Sequence, residues 1–389
     1  MVEGPQFTVR AWPKPPLAWL GWTAAAATLA ASAAVVTALL VETASGSPAA
    51  ACRWQKAGPP RLSHAVSVES VAARSAKDVW LVGFAYRSSA DDGMGSWHWN
   101  GKHWVGVGVK KLTATVSPVF SVASSGRDAW AVGRTAAGAL ALHWNQRFRD
   151  HLGYTWWARV PVPRAFGRAG LNSVAMISPR DVWAVGDGVV LRWRGSWSRV
   201  STPAFVNSWA GISVTRIGFT SGVWITGYDQ DLDQWRAARW TGSGWSTSTV
   251  AGGLIHARPG LNIAAVSSSD AWIVGRSPQK NGRAVAFHWD GTNWSAVAGL
   301  PLPLGVASEL SGVVARTAND VWAVGSYLSS GAPRSLVLHW DGARWSQVAA
   351  PGTGLSEIAV VPGSRQAWAV GGSYLGKRLV LDNVLRYRC

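Results

Sequence analysis

Short apolar runs, broken by small polar turns, recur from about residue 52 to the end of the chain. The clearest is a hexapeptide met seven times: Asp78-Val-Trp80-Leu-Val-Gly83, Asp128-Ala-Trp130-Ala-Val-Gly133, Asp181-Val-Trp183-Ala-Val-Gly186, Gly222-Val-Trp224-Ile-Thr-Gly227, Asp270-Ala-Trp272-Ile-Val-Gly275, Asp320-Val-Trp322-Ala-Val-Gly325 and Gln366-Ala-Trp368-Ala-Val-Gly371. Successive tryptophans are 50, 53, 41, 48, 50 and 46 residues apart. A repeat of that length signals an array or a propeller.

Each hexapeptide sits in a longer unit. Upstream lies an apolar strand, such as Asn172-Ser-Val-Ala-Met176 or Asn262-Ile-Ala-Ala-Val266, joined to the hexapeptide by a Ser/Pro/Arg turn. Downstream a third strand ends on Trp99, Trp144, Trp193, Trp240, Trp289 or Trp340. A turn such as Asp290-Gly291 or Asp341-Gly342 then leads to Trp104, Trp157, Trp197, Trp245, Trp294 or Trp345. Asp-Gly between apolar runs is a hairpin signal. One unit is therefore four short antiparallel strands, and seven units predict an all-β, seven-bladed β-propeller over residues 52–389.

The ends of the repeat decide between an open array and a ring. The seventh unit has strands at Glu357–Val361, Ala367–Val370 and Asn383–Tyr387, then stops at Arg388-Cys389. Its missing fourth strand matches Cys52-Arg-Trp54-Gln-Lys-Ala, which resembles Ala343-Arg-Trp345-Ser-Gln-Val. A three-plus-one closure by the N-terminal strand is expected. It leaves Cys52 and Cys389, the only cysteines, on either side of a cut hairpin, a separation that suits a disulfide.

The unit resembles the Asp-Val-Trp-Ala-Val-Gly repeats of exported bacterial β-propellers, whose architecture is similar to kelch and galactose-oxidase-like propellers. The resemblance covers about residues 52–389 and departs at Gly222, Gln366 and Tyr387. The diglycine of kelch repeats and the Ser-x-Asp-x-Gly box of sialidase-like propellers are missing. The resemblance implies a fold and an exported location, and no particular activity.

Residues 1–51 read as a targeting segment. Residues 1–16 carry Arg10 and Lys14 as a cytoplasmic n-region, and 17–41 form a hydrophobic helix, the h-region of a signal peptide or a membrane span. Residues 42–51 are a linker with a cleavage site at Ala49-Ala50-Ala51. Cleavage, retention as an anchor and lipidation of Cys52 remain open, although Ala49 and Glu42 fit lipidation poorly. Each alternative leaves the repeat outside the cytoplasm, secreted or membrane-anchored.

Composition then bears on function. Of 27 tryptophans, 20 occupy the three repeated positions, where packing between blades is expected. Trp12, Trp19 and Trp22 flank or begin the apolar segment, leaving Trp97, Trp156, Trp209 and Trp235 as candidate exposed stacking surfaces. The repeated Asp is expected to accept backbone N–H bonds in an Asx turn, and His98, His143, His288 and His339 to belong to the repeat rather than to a metal site.

The net charge of +17 falls wholly on the repeat, because residues 1–51 are neutral overall. Loops between second and third strands, and from one unit to the next, share one edge and vary in length. They hold the candidate ligand-binding residues Arg87, Arg164, Arg168, Trp235, Arg258, Arg283, Tyr327, Arg334, Tyr374 and Arg378. This basic rim suits an anionic cell-surface polymer, a glycan or a protein; nucleic acid is ill-suited to the location. A monomer is expected.

Asp229, Asp231 and Asp233 are a candidate Ca²⁺ site without the Gly and distal Glu of an EF-hand loop, and otherwise no cofactor is expected. Gly-x-Ser-x-Gly, phosphate-loop and His-Glu-x-x-His motifs are missing. The expected function is non-enzymatic binding or scaffolding at the cell surface. The alternative is a propeller-fold glycan hydrolase or lyase using acids such as Asp92 or Asp231.

Overall fold

Each hexapeptide forms the second strand of a four-stranded antiparallel sheet, and the described residues contain seven such sheets. The computed structural model describes residues 52–389 apart from 59–64, 87–92, 110–118, 149–152, 154, 167–169, 187, 203–207, 218–219, 230–231, 233, 251–262, 278–281 and 376–377. The expected leader, residues 1–51, lies outside the described residues. Blade 1 comprises Ala65–Ser75, Asp78–Tyr86, Gly93–Trp99 and Trp104–Gly106. In blade 2, Val119–Ser125, Asp128–Thr135, Gly138–Asn145 and Trp156–Arg159 gain a fifth strand, Gly108–Val109, parallel to the outermost. Blades 3 to 6 begin at Leu171, Ser208, Ile263 and Ser308.

Blade 7 takes Glu357–Val360, Ala367–Leu375 and Arg378–Arg388 from the C-terminal end of the chain, and Arg53–Lys56 as its outermost strand. Arg53 faces Arg388, and Trp54 faces Tyr387. Cys52 and Cys389, 337 residues apart in sequence, are joined by a disulfide. The bond stands where five of the other six blades have a short turn, blade 2 having a longer connection between Asn145 and Trp156.

Trp rings hold the blades together. At each of seven interfaces, the hexapeptide Trp of one blade meets two rings of the next. Trp80 lies 4.6 Å from Trp144 and 5.1 Å from Trp157, and Trp130 lies 5.0 Å from Trp193 and 5.4 Å from Trp197. Trp183 meets Trp240 and Trp245, Trp224 meets Trp289 and Trp294, and Trp272 meets Trp340 and Trp345. Between blades 6 and 7, Tyr387 replaces one ring and Trp54 supplies the other. Trp368 of blade 7 then packs on Trp99 and Trp104 of blade 1. Edge-to-face pairs at these distances gain about 0.5–1.5 kcal/mol each beyond area burial.

Two local features follow from close packing. The last Gly of the hexapeptide lets the second strand approach the innermost one: a Cβ at Gly83 or Gly325 would stand 1.7 or 2.0 Å from a carbonyl oxygen of that strand, and one at Gly186 1.9 Å from the carbonyl of Gly170 just before it. The innermost strands are also bulged opposite this glycine, between Val68 and Ser70, Val119 and Ser121, Leu171 and Ser173, and Leu310 and Gly312. The residue after the bulge reaches the next blade. Ser70 Oγ accepts from Val122 N–H at 2.9 Å, and Ser121 Oγ accepts from Val174 N–H at 3.2 Å. At the junction of blades 7 and 1, Glu357 takes this role, its Oε2 accepting from Val71 N–H at 2.8 Å.

Candidate functional site

The two edges of the ring differ in chemistry. On the edge holding the turn between first and second strands, the repeated acids are consumed by the fold. Asp78 Oδ1 lies 3.1 Å from His98 Nε2, Asp128 Oδ1 2.6 Å from His143, Asp270 Oδ1 3.0 Å from His288, and Asp320 Oδ1 3.0 Å from His339. Each His ring stacks on the hexapeptide Trp of its own blade, 4.1–4.6 Å between centroids.

This corrects the Asx-turn expectation for the repeated Asp. The carboxylate turns across the sheet because the third strand places a donor opposite the Trp. Asx geometry appears instead in the outer hairpins, where Asp290 accepts from Thr292 and Asn293, and Asp341 from Ala343 and Arg344.

In three blades an Arg takes the place of the His on the third strand, and the residue at the acid's position is Asp, Gln or Gly. Blade 3 pairs Asp181 with Arg192, whose guanidinium lies 4.7 Å from the Trp183 ring centroid. Blade 7 pairs Gln366 with Arg386, which lies 5.1 Å from the Trp368 centroid. Blade 4 has Gly222 in the acid's place, with Arg239 opposite Trp224. Burial would raise the carboxyl pKa values of Asp78 and Asp181, but hydrogen bonds from His98 and Arg74, and from Arg192, outweigh it and hold both below the usual range. Ionised, paired and packed on indole, these groups are braces. Among the described residues, no group of three His, Cys, Asp or Glu side chains could hold a metal.

The opposite, variable-loop edge carries exposed cations. Arg164 stands on the short 3-10 turn Arg164–Phe166 and, with Arg159, Ala137, Ala139, Pro161 and Val162, lines a cavity of about 310 Å³. Arg283 is exposed and donates to the Pro303 carbonyl at 3.5 Å. Arg334 is exposed and faces half-buried Tyr327 across the hairpin.

Tyr374 and Arg378 lie on paired strands. Arg87, Arg168, Arg258, Asp92, Asp231 and Asp233 lie outside the described residues.

Two sequence candidates are corrected by burial. Trp235 is 5% exposed and packs with Trp224, Val250 and Ile263, so its face is core rather than a stacking platform. Asp229 is fully buried; its Oδ1 accepts from Leu232 N–H at 3.2 Å and its Oδ2 lies 3.5 Å from Arg236 Nε. An enclosed, ion-paired carboxylate is a poor surface ligand for Ca²⁺. Trp97 and Trp156 are half-buried.

Two features escaped the sequence analysis. Glu357 looks like an ordinary strand residue until the junction of blades 7 and 1 is seen. Leu304 and Leu328, 89% and 43% exposed, are apolar side chains on a rim expected to be basic.

No protein-family model matches this sequence, and no curated protein matches it. Solved structures do. A structure described as YCF48 bound to D1 peptide is 15% identical, covering 86% of this chain and 94% of that one with a TM-score of 0.56. YCF48 from Cyanidioschyzon merolae gives 14% identity, 86% and 98% coverage, and a TM-score of 0.56. The β-propeller domain of the Trilobed protease from Pyrococcus furiosus gives 8% identity, 83% and 93% coverage, and a TM-score of 0.51. At these identities the likeness is one of fold: the chain is a seven-bladed, all-β propeller with four antiparallel strands per blade.

Proposed function

We propose that this chain is an exported or membrane-anchored, non-enzymatic propeller that binds or scaffolds a partner at the cell surface through its variable-loop face. The observation that carries this reading is the set of exposed cations on the irregular loops of one edge, Arg164, Arg283 and Arg334. The other edge also bears exposed cations, Lys77, Arg127 and Arg180 among them, but on short turns that repeat from blade to blade and beside carboxylates locked to His and Arg as braces. A cationic rim on a rigid ring attracts anionic groups without needing to move.

The structure of YCF48 with D1 peptide is a precedent for this fold holding a peptide, which favours a protein partner over a bare polymer. The disulfide suits an oxidising compartment, in keeping with export. In this reading the N-terminal strand and its bridge close the ring and keep the binding face stiff.

The test is retention of surface proteins and cell-wall polymers on the purified chain at two salt concentrations, with Arg164→Glu and Arg334→Glu as variants. Retention that weakens with salt and with either variant supports the proposal. Sugar release from a retained polymer, or retention indifferent to both salt and variants, overturns it.

A further inference from the structure

One position of the repeat divides the ring into two sectors. The residue before each hexapeptide stands in the turn between first and second strands. It is Lys77, Arg127, Arg180 and Arg365 in blades 1, 2, 3 and 7, but Ser221, Ser269 and Asn319 in blades 4, 5 and 6. Blades 7, 1, 2 and 3 are neighbours around the ring, so the cations form one unbroken arc. Ser75 pairs with Asp78, Ser125 with Asp128 and Ser178 with Asp181. Lys77, Arg127 and Arg180 therefore occupy equivalent places on the edge, and all four cations are exposed.

Acids do not answer these charges. Among the described residues the exposed carboxylates are Asp290 and Asp341, on blades 5 and 6, each folded into its own hairpin turn. Asp78, Asp128 and Asp181, next in sequence to the first three cations, are held by His98, His143 and Arg192. The cut hairpin of blade 7 adds to the excess on the same edge. Arg53 and Arg388 are exposed and face each other across the strands, and Arg388 donates to neutral Gln55 at 3.2 Å. Like charges directly opposite cost stability in a sheet, and an external anion relieves that cost.

The arc also surrounds the place where the leader joins the ring. Cys52, bonded to Cys389, lies on this edge between the turns of blades 7 and 1. From Val41, the end of the apolar run, to Cys52 the chain reaches at most about 40 Å when fully extended. A membrane holding the apolar run is thus within that distance of the basic arc.

We propose that this arc rests on anionic phospholipid headgroups of the membrane that the leader enters. The inference rests on the exported or membrane-anchored reading and adds an orientation to it, the variable loops turning away from the bilayer. A polybasic patch reinforces a single apolar anchor. Each cation near an anionic surface favours contact about fivefold. Short turns at equivalent places meet a surface, whereas a polymer chain is better gripped by a groove.

The experiment labels arginines with a glyoxal reagent on the protein as recovered from its host, with mass spectrometry as the readout. It compares Arg127, Arg180 and Arg365 on the arc with Arg164, Arg283 and Arg334 on the other edge, all exposed. The protein is reconstituted into, or mixed with, vesicles of phosphatidylcholine alone or with added phosphatidylglycerol. On the anionic vesicles the arc should label about fivefold more slowly or less, with the other edge unchanged and salt reversing the effect. Arg127→Gln combined with Arg180→Gln, at an unchanged melting temperature, should restore the labelling of Arg365. Equal labelling of the arc on both vesicles, slowing of the other edge, or indifference to the double substitution overturns the docking. Slowing by soluble polyphosphate but not by vesicles also overturns it and assigns the arc to a polymer. If docking fails while surface partners are still retained through Arg164 and Arg334, this inference fails alone. If the arc docks and no partner is retained, the binding role of the variable-loop face fails alone.

Discussion

Replacing Glu357 by Gln at the junction of blades 7 and 1 removes a titrating group while keeping an oxygen for Val71 N–H. Burial pushes the Glu357 carboxyl up to about 8, the Ser70 and Val71 hydrogen bonds only partly opposing it and neighbouring Glu69 adding to the rise. The unfolded chain ionises this group near 4.5. Between those values the folded state binds more protons than the unfolded state, so stability falls as pH rises through the window and levels off above it. At about 1.4 kcal/mol per unit the full effect approaches about 5 kcal/mol. Glu357 keeps some solvent contact, which trims this to about 3 kcal/mol, or roughly 4 °C in Tm for a domain of this length. The assay is calorimetric melting from pH 5 to 9 on wild type and Glu357→Gln. The wild type should lose ground to the variant from pH 5 to about 8 and then hold level up to pH 9. The Asp78, Asp181 and Asp320 carboxyls, held below their usual range, titrate beneath this window and are common to both proteins. Parallel melting curves at every pH would refute the reasoning.

Three further outcomes are expected. Trp183→Ala empties the interface between blades 3 and 4 and should cost about 3–5 kcal/mol in denaturant unfolding. Gly325→Ala drives a methyl group against the Glu309 carbonyl, 2.0 Å away, and should cost about 3 kcal/mol or more, or leave the protein insoluble on expression. Cys389→Ser should lower stability by about 2–5 kcal/mol, and reduction of the wild type should reproduce its melting temperature.

The repeat made the ring legible. Trp at three positions per unit reports packing partners directly, because seven copies average out local accident. The first and last strands were legible for the same reason, since Trp54 and Tyr387 fit positions already defined by six intact blades. The role of the repeated Asp was harder to read. Asp78 and His98 are 20 residues apart, and only strand register brings them together. The exchange of Asp/His for Asp/Arg in blade 3 and Gln/Arg in blade 7 was nevertheless a usable signal.

Trp235 was misplaced because it stands outside the three repeated positions, and a ring without a repeat partner looks free. It fills space between Val250 and Ile263 instead. Glu357 was invisible for a deeper reason. Glu357 sits in regular register opposite Val370, and only the approach of blade 1 brings Val71 N–H, 286 residues away in sequence, to its carboxyl. Among the rim residues, Arg164, Arg283 and Arg334 are exposed.

The pairing of Arg53–Lys56 with Arg378–Arg388 has a consequence for biogenesis. A ribosome makes the first of these strands long before the second, with six blades between. Throughout translation, Trp54 and its strand edge wait without their mate, a template for intermolecular pairing. Holding that short segment apart until the last strand emerges is a task for a chaperone, and slow synthesis or truncation late in the chain should raise aggregation more than an equal defect mid-chain.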